Sequence, residues 1–127
     1  MRIHHTALWT NELERMREFY TRFFDAGVSE KYRNPVTGFE SYFLLFDGDT
    51  RVEIMTKPGI ADGDENGTNT GYAHIAVSLG DKGAVDRKVN DLRDAGYTVI
   101  GEPRMTGDGY YEAVIADPDG NRIELTV

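Results

Sequence analysis

Residues 121–126 read NRIELT, and the alternation of apolar and polar side chains in this stretch indicates a half-buried β-strand. Ile123 and Leu125 would face a core, and Glu124 would point the other way. A lone glutamate at such a position is usually a solvated charge. An earlier stretch, TRVEIM at residues 50–55, repeats the order and has Glu53 where the later stretch has Glu124. The recurrence suggests that both carboxylates have a chemical role.

The two glutamates belong to a longer internal repeat. IHHTALW at residues 3–9 resembles YAHIAVS at residues 72–78, and the triplet DAG recurs at 25–27 and 94–96. Landmarks that recur in the same order indicate two related modules, because duplicated sequence folds into duplicated supersecondary units.

The repeat predicts the domain organisation. We expect residues 1–127 to form a single domain, with a first module at about 1–58 and a second at about 72–127. The segment between them, about 59–71, is rich in Gly, Asp and Asn and lacks apolar periodicity. It is therefore predicted to be a linker loop.

Each module has the order strand–helix–strand–strand–strand. Strands are predicted near 3–9, 28–33, 39–46 and 50–56, and near 73–79, 97–101, 109–116 and 121–127. The helices are predicted from apolar residues at helical spacing, namely Leu13, Met16, Phe19, Tyr20, Phe23 and Phe24, and Val85, Val89 and Leu92. Asn11 is the expected N-cap of the first helix, and Gly27 and Gly96 are the expected C-caps. The predicted fold class is α+β, with a mostly antiparallel sheet and the helices on one face.

Composition excludes several classes of function. Lys and Arg number 14 and Asp and Glu number 22, which gives a net charge of −8. Phosphate backbones and anionic membrane surfaces repel such a protein, so we expect neither a nucleic acid nor a membrane partner. The sequence has no cysteine, no apolar run of membrane-spanning length and no signal-peptide pattern at its N-terminus. We predict a soluble, cytoplasmic protein.

Four side chains that can bind a metal ion recur in equivalent places of the two modules: His5, Glu53, His74 and Glu124. Strand alternation puts them on the sheet face away from the helices, which would become a cleft if the two sheets curl toward each other. Two imidazoles and two carboxylates suit a divalent ion such as Ni, Co, Zn, Fe or Mn. Each residue alone is more often a surface group, and only their joint recurrence favours a site. His4 has Ala73 at the equivalent position and is expected to be structural.

The chain resembles the vicinal oxygen chelate superfamily and, within it, bacterial glyoxalase I-like proteins. The resemblance covers nearly the whole chain and rests on HTALW, LERMREFYTRFF, RVEIM, GYAHIAVS and the closing DPDGNRIEL. It implies two βαβββ modules that form a curved sheet around a metal cleft, usually in a homodimer. It also implies that the four recurring residues are the metal ligands.

The reaction implied by the resemblance is that of glyoxalase I, which isomerises the hemithioacetal of methylglyoxal and glutathione to lactoylglutathione. The metal would hold the adjacent oxygens of the substrate, and one or both of Glu53 and Glu124 would carry the proton between neighbouring carbons. A dioxygenase is disfavoured, because facial-triad iron sites use three protein ligands rather than four.

Trp9 departs from the pattern of bacterial glyoxalase I, which otherwise resembles this chain in the first strand. Those proteins carry at this place an Arg that helps to hold glutathione, and Trp cannot pair with a carboxylate. Trp9 would instead pack on an aromatic or apolar substrate, or be an ordinary core residue. The other candidate substrate residues are Arg104, Met105, Tyr110 and Tyr111. Their segment, 102–114, is interpreted either as a mobile lid with an anion-binding Arg or as a flexible hairpin with a surface Arg.

Two functions remain open at this point. The first is a metal-dependent lyase or isomerase of the glyoxalase I type that acts on a small molecule. The alternative is a non-catalytic binding or resistance module of the same fold, which would sequester a small hydrophobic molecule without chemistry. Only in the alternative would ligand binding survive the removal of Glu53 and Glu124.

Overall fold

The computed structural model describes residues 1–63 and 70–127, and the chain divides into two compact units after Gly63. We call residues 1–63 the first module and residues 70–127 the second module. Part of the predicted linker, residues 64–69, lies outside the described residues. Within the two described ranges, no helix is long and apolar enough to cross a membrane.

The first module contains one helix and a five-stranded sheet. Its elements are β1 (Thr6–Trp9), α1 (Leu13–Phe24), β2 (Gly27–Val28), β3 (Tyr32–Arg33), β4 (Glu40–Leu45), a 3₁₀ turn (Asp47–Asp49) and β5 (Arg51–Thr56). Strand β1 runs parallel to β5, β5 is antiparallel to β4, and β4 is antiparallel to both β2 and β3.

The second module repeats this plan with a four-stranded sheet. Its elements are β6 (Ile75–Ser78), α2 (Lys82–Asp94), β7 (Val99–Met105), β8 (Tyr111–Ala116) and β9 (Arg122–Thr126). Strand β6 runs parallel to β9, and β9, β8 and β7 follow in antiparallel order. The predicted α+β class, with two modules of the same order and mostly antiparallel pairing, is confirmed.

Each helix covers one face of the sheet in its own module. The residues buried in the first module include Leu13, Met16, Phe19, Tyr20 and Phe23 of α1 and Leu44, Val52 and Ile54 of the sheet. Those buried in the second module include Val85, Val89 and Leu92 of α2 and Ala113, Ile115, Ile123 and Leu125 of the sheet. Burial of each large apolar side chain contributes about 1.5–3 kcal/mol. Because strand neighbours alternate, this burial directs Glu53 and Glu124 to the opposite face, which we call the open face of each sheet.

The strand predicted near 28–33 is interrupted. It forms the two short strands β2 and β3, because the Ser29 hydroxyl oxygen accepts the hydrogen bond of the Phe43 backbone N–H at 2.9 Å. A side chain thus takes the place of the backbone acceptor that a continuous strand would offer. The first strands of both modules are also shorter than predicted, beginning at Thr6 and Ile75.

The predicted N-cap of α1 is wrong by one residue. Glu12 occupies the cap position and makes no capping bond with its side chain. Asn11 instead donates to the carboxylate of Asp62 at 2.9 Å and to the backbone carbonyl of Ile60 at 3.3 Å. The Asn11 side chain, which was predicted to cap the helix, therefore hydrogen-bonds to the segment that follows β5.

Neither predicted glycine occupies the C-cap position itself. Ala95 is the C-cap residue of α2, and Gly96, one residue later, adopts a φ of +87°, a backbone conformation that favours glycine. In α1 the left-handed residue is Asp25, with a φ of 52°, and Gly27 opens β2 instead. An aspartate tolerates this conformation better than most residues, so the helix ends two residues earlier than expected.

Candidate functional site

In the first module, His5 and Glu53 lie side by side at the open face. His5 directly precedes β1, and Glu53 of β5 is the register partner of Ala7. The His5 Nε2 atom is 3.6 Å from the Glu53 Oε2 atom, with 35% and 16% of the two side chains exposed. The His5 ring also meets the Phe43 ring edge to face, with centroids 5.3 Å apart.

The second module contains the equivalent pair, His74 and Glu124. His74 directly precedes β6, and Glu124 of β9 is the register partner of Ala76. The His74 Nε2 atom is 3.5 Å from the Glu124 Oε2 atom, and 44% and 21% of the side chains are exposed. In both modules the histidine therefore stands two residues before the partner of the glutamate, and the parallel strand pair brings the two together.

The donor atoms fit a metal ion. Imidazole nitrogen and carboxylate oxygen bind ions such as zinc at about 2.0–2.2 Å, so two ligands of one ion lie roughly 3–3.5 Å apart. The separations of 3.6 and 3.5 Å come close to this spacing. Among residues 1–63 and 70–127, no three or more His, Cys, Asp or Glu side chains gather as a potential metal site. Each module thus supplies one pair of donors.

His4 contacts His5 of the first pair, and the sequence did not reveal this contact. Its Nδ1 atom lies 2.8 Å from Nδ1 of His5, so one ring donates a hydrogen bond to the other. This contact holds the His5 ring by one nitrogen while the other nitrogen faces Glu53. Support of this kind fixes the tautomer and orientation of a ligating histidine. Ala73 stands at the equivalent position and offers no such group to His74.

Trp9 also lies on the open face of the first module, where it pairs with Met55 in register. It is 46% exposed, so the interpretation as an ordinary core tryptophan is wrong. Its ring meets the Phe39 ring edge to face at 6.2 Å, and the Lys57 Nζ atom lies 4.7 Å from its centroid. Sequence analysis missed both neighbours, because alternation predicts the face on which a side chain lies but not its contacts with other segments.

Arg104 lies on the open face of the second module. It pairs in register with Glu112 and forms an ion pair with it at 3.4 Å, and 54% of the Arg104 side chain is exposed. Gly101 makes room for it, since a Cβ atom there would lie 3.3 Å from the guanidinium. The strand register shifts between Gly101 and Arg104, which accommodates Pro103 in this edge strand.

The other candidate substrate residues are placed differently. Tyr111 shares the helix-covered face with the buried Ala113, and its hydroxyl donates to Asp86 of α2 at 2.7 Å. That hydrogen bond raises the pKa of the Tyr111 phenol. Met105 is the register partner of Tyr111, so the structure does not bring either residue together with the His74–Glu124 pair.

Tyr110 stands at the tip of a hairpin. It is 60% exposed, and its backbone N–H and carbonyl both bond with Thr106 across the turn between β7 and β8. Gly109 has a φ of +92°, a value that the turn requires and that glycine adopts without strain. Segment 102–114 is thus a hairpin that carries Arg104 on one arm.

Known proteins are similar to this chain over nearly its full length. A lactoylglutathione lyase of Arabidopsis thaliana is 32% identical over 125 residues, which are 95% of this chain and 42% of that protein. A lactoylglutathione lyase of Haemophilus influenzae is 32% identical over 128 residues, which are 98% of this chain and 91% of that protein. The crystal structure of glyoxalase I from Zea mays matches with a TM-score of 0.82 at 26% identity, covering 98% of this chain and 44% of that one.

The chain thus spans less than half the length of the two plant proteins that it resembles. The profile of the Glyoxalase/Bleomycin resistance protein/Dioxygenase superfamily matches residues 2–125. By sequence profile and by fold, this chain belongs to that superfamily.

Proposed function

We propose that this chain is a metal-dependent lyase or isomerase of the glyoxalase I type, whose substrate is held through two adjacent oxygens. The observation that supports the proposal is the repeated His–Glu pair, with donor atoms 3.6 Å apart in one module and 3.5 Å apart in the other. A single His–Glu contact at a strand start is an ordinary surface feature. Here the same strand register produces the same contact in both modules. A shared function is the simplest explanation of this repetition.

The proposed metal ligands are His5, Glu53, His74 and Glu124. Two nitrogens and two carboxylate oxygens suit Ni, Co, Zn, Mn or Fe. Which of these ions is bound depends on the metals available in the cell as well as on their affinity for the site. When bound, the ion would polarise the adjacent oxygens of the substrate as a Lewis acid. The proposal includes a homodimer. The two pairs that complete one site then come either from one chain or from the two chains of that dimer.

Glu53 and Glu124 are the proposed catalytic residues. A carboxylate beside the chelated oxygens can accept the proton from one carbon and return it to the neighbouring carbon. Only 16% of the Glu53 side chain and 21% of the Glu124 side chain are exposed, so little water would compete for that proton. The two histidines are not the proton carriers in this scheme, because the imidazole nitrogen that would bind the ion must carry no proton.

The partner in the proposed reaction is a small-molecule hemithioacetal or a related compound. Trp9 offers an exposed aromatic surface instead of a cationic group, so the proposal leaves the thiol cosubstrate open. The cysteine-free, acidic composition supports a reducing cytoplasmic location as part of the same proposal.

Turnover of methylglyoxal hemithioacetals by the protein loaded in turn with Ni, Co, Zn or Mn tests the proposal. We expect turnover with at least one metal, and its loss in Glu53→Gln and Glu124→Gln variants that still fold. Absence of turnover with all four metals, in protein that binds them, would reject the glyoxalase activity.

The second candidate function is a non-catalytic binding module. The exposed Trp9 ring and its Phe39 neighbour favour it, because the two rings present an apolar surface and carry no acid, base or nucleophile. This function requires that a small hydrophobic ligand bind equally well to the wild type and to a Glu53→Gln, Glu124→Gln double variant. Loss of binding in the folded double variant would exclude it.

A further inference from the structure

The open face of the first module holds an aromatic row with a cation at one end. The Trp9 and Phe39 rings meet at 6.2 Å, and the Phe39 and Tyr32 rings meet at 6.0 Å. Trp9 is 46% exposed and Tyr32 is 56% exposed. Large aromatic side chains exposed side by side mark a binding surface more often than isolated ones do.

The cation of this row is Lys57. Its ammonium lies 4.7 Å from the Trp9 ring centroid, inside the range of an attractive cation–π contact. Among the carboxylates of residues 1–63 and 70–127, none lies within 4.0 Å of this ammonium. In a protein with a net charge of −8, this lysine thus lies over an aromatic ring without an acidic partner among the described residues. Such a cation is available to an anionic ligand.

The row is aligned with the His5–Glu53 pair. Glu53, Met55 and Lys57 alternate along β5 and its extension toward the open face, and Trp9 is the register partner of Met55. At a strand rise of about 3.3 Å per residue, the backbone of Met55, and with it that of its register partner Trp9, lies about 7 Å along the strand from Glu53. The Lys57 ammonium reaches back to within 4.7 Å of the Trp9 ring centroid, so a ring and an anionic group bound here would lie close together.

From these positions we propose that Trp9, Phe39 and Lys57 form a specificity subsite for an aryl carboxylate group of the substrate. The indole receives the flat ring and Lys57 receives the carboxylate, while the adjacent oxygens of the substrate reach His5 and Glu53. This assignment rests on the proposed function for the position of the reacting oxygens. Glutathione has no aromatic ring that could stack on the indole.

The single tryptophan of the chain provides a direct readout. We would follow the one indole N–H signal in a proton–nitrogen NMR spectrum, with chelator present, while adding benzoate, cyclohexanecarboxylate, benzyl alcohol or glutathione. We expect saturable shifts with benzoate in the millimolar range and weaker binding of the other three probes. Cyclohexanecarboxylate keeps the charge without the flat ring, and benzyl alcohol keeps the ring without the charge.

The matched variants are Lys57→Gln and Lys82→Gln. Lys82 also lies over an aromatic ring, that of Tyr111 at 5.3 Å, but on the helix-covered face of the second module. Lys57→Gln should weaken benzoate binding about 3- to 5-fold, and Lys82→Gln should leave it unchanged.

Three results would overturn the subsite: no indole shift with benzoate, equal binding of benzoate by the wild type and Lys57→Gln, or tighter binding of glutathione than of benzoate. Because chelator is present throughout, the outcome is independent of the metal. Benzoate binding by a protein that shows no turnover would reject the proposed function and keep the subsite. Turnover without benzoate binding would do the reverse.

Discussion

Both modules have the same strand order and a His–Glu pair at the equivalent position, yet the groups around the two pairs differ. His5 contacts the His4 and Phe43 rings, and the face beyond it is aromatic. His74 has Ala73 in place of the supporting histidine, and the face beyond it carries the Arg104–Glu112 ion pair. The two modules repeat the pair that we propose as metal ligands, and they differ in the residues that the proposed substrate would contact.

The same contrast appears in the cores. The helix of the first module buries Phe19, Tyr20 and Phe23, and the helix of the second module buries only Val85, Val89 and Leu92. Both cores nevertheless bring a glutamate to the same register position opposite the first strand. The strand register, rather than the size of the packed side chains, therefore positions the pair, and each module can vary its other residues independently.

The largest expected effect concerns the two glutamates. Glu53→Gln and Glu124→Gln should each lower kcat for a hemithioacetal substrate about 10²- to 10⁴-fold, because each removes a charged proton acceptor. Glu112→Gln is the control on the open face of the second module, and it should change kcat less than about 10-fold. A wild-type kcat in Glu53→Gln or in Glu124→Gln would show that the two modules do not both contribute to the proton transfer.

The difference between the cores predicts a difference in stability. Phe19→Ala should lower the free energy of unfolding by about 3–5 kcal/mol, since it leaves a large cavity under the first sheet. Leu92→Ala should cost about 2–5 kcal/mol in the second module, toward the lower end because a smaller side chain is removed. Urea unfolding curves measure both values. A greater loss in Leu92→Ala would contradict the assignment of the larger core to the first module.

His4→Ala gives the first module the residue that the second has at Ala73. We expect metal affinity to fall about 10-fold, because His5 loses the contact that orients its ring. Titration of the chelator-stripped protein against a competing metal indicator measures the change. Ala73→Ser serves as the control and should leave the affinity unchanged. An unaltered affinity in His4→Ala would mean that the His4–His5 contact has no part in metal binding.

The smallest expected effect lies in the ion pairs that join α1 to its sheet. Burial acts to raise the pKa of Glu14, but hydrogen bonds from Arg17, Lys31 and Tyr42 outweigh it and lower the pKa. The folded state then binds fewer protons, so the stabilisation is present above the ordinary carboxyl pKa and lost as pH falls through the lowered value.

Glu14→Gln should therefore reduce stability at neutral pH by less than about 1 kcal/mol and flatten the decline at acid pH. Thermal unfolding from pH 7 to pH 3 follows both effects. Repetition at high salt should shrink the difference from the wild type, because the pair is exposed. A wild-type acid profile in the variant would contradict the role of Glu14.

Much of this arrangement follows from periodicity. Alternation around Glu53 and Glu124 predicts their face correctly, because a strand has no freedom to turn one side chain without its neighbours. The same rule applied to Ala113 and Ile115 would have assigned Tyr111 to the helix-covered face. The contacts of His4 and Lys57 do not follow from periodicity, since alternation gives the face on which a side chain lies and not the ring that it contacts. The break at Ser29 depends on a single hydroxyl that competes with the backbone, which no pattern of apolar residues reveals.

Metal stoichiometry tests the central proposal, that the two repeated pairs together form one metal site. Chelator-stripped protein would be incubated with Ni, Co, Zn or Mn and desalted, and bound metal would be measured by mass spectrometry. We predict about one ion per chain in the wild type, and loss of the ion in both the His5→Ala, Glu53→Ala and the His74→Ala, Glu124→Ala double variants. A Glu18→Ala, Glu30→Ala double variant is the control and should bind as the wild type does. Retention of a full complement of metal by either pair variant, or no bound metal in the wild type, would contradict the account.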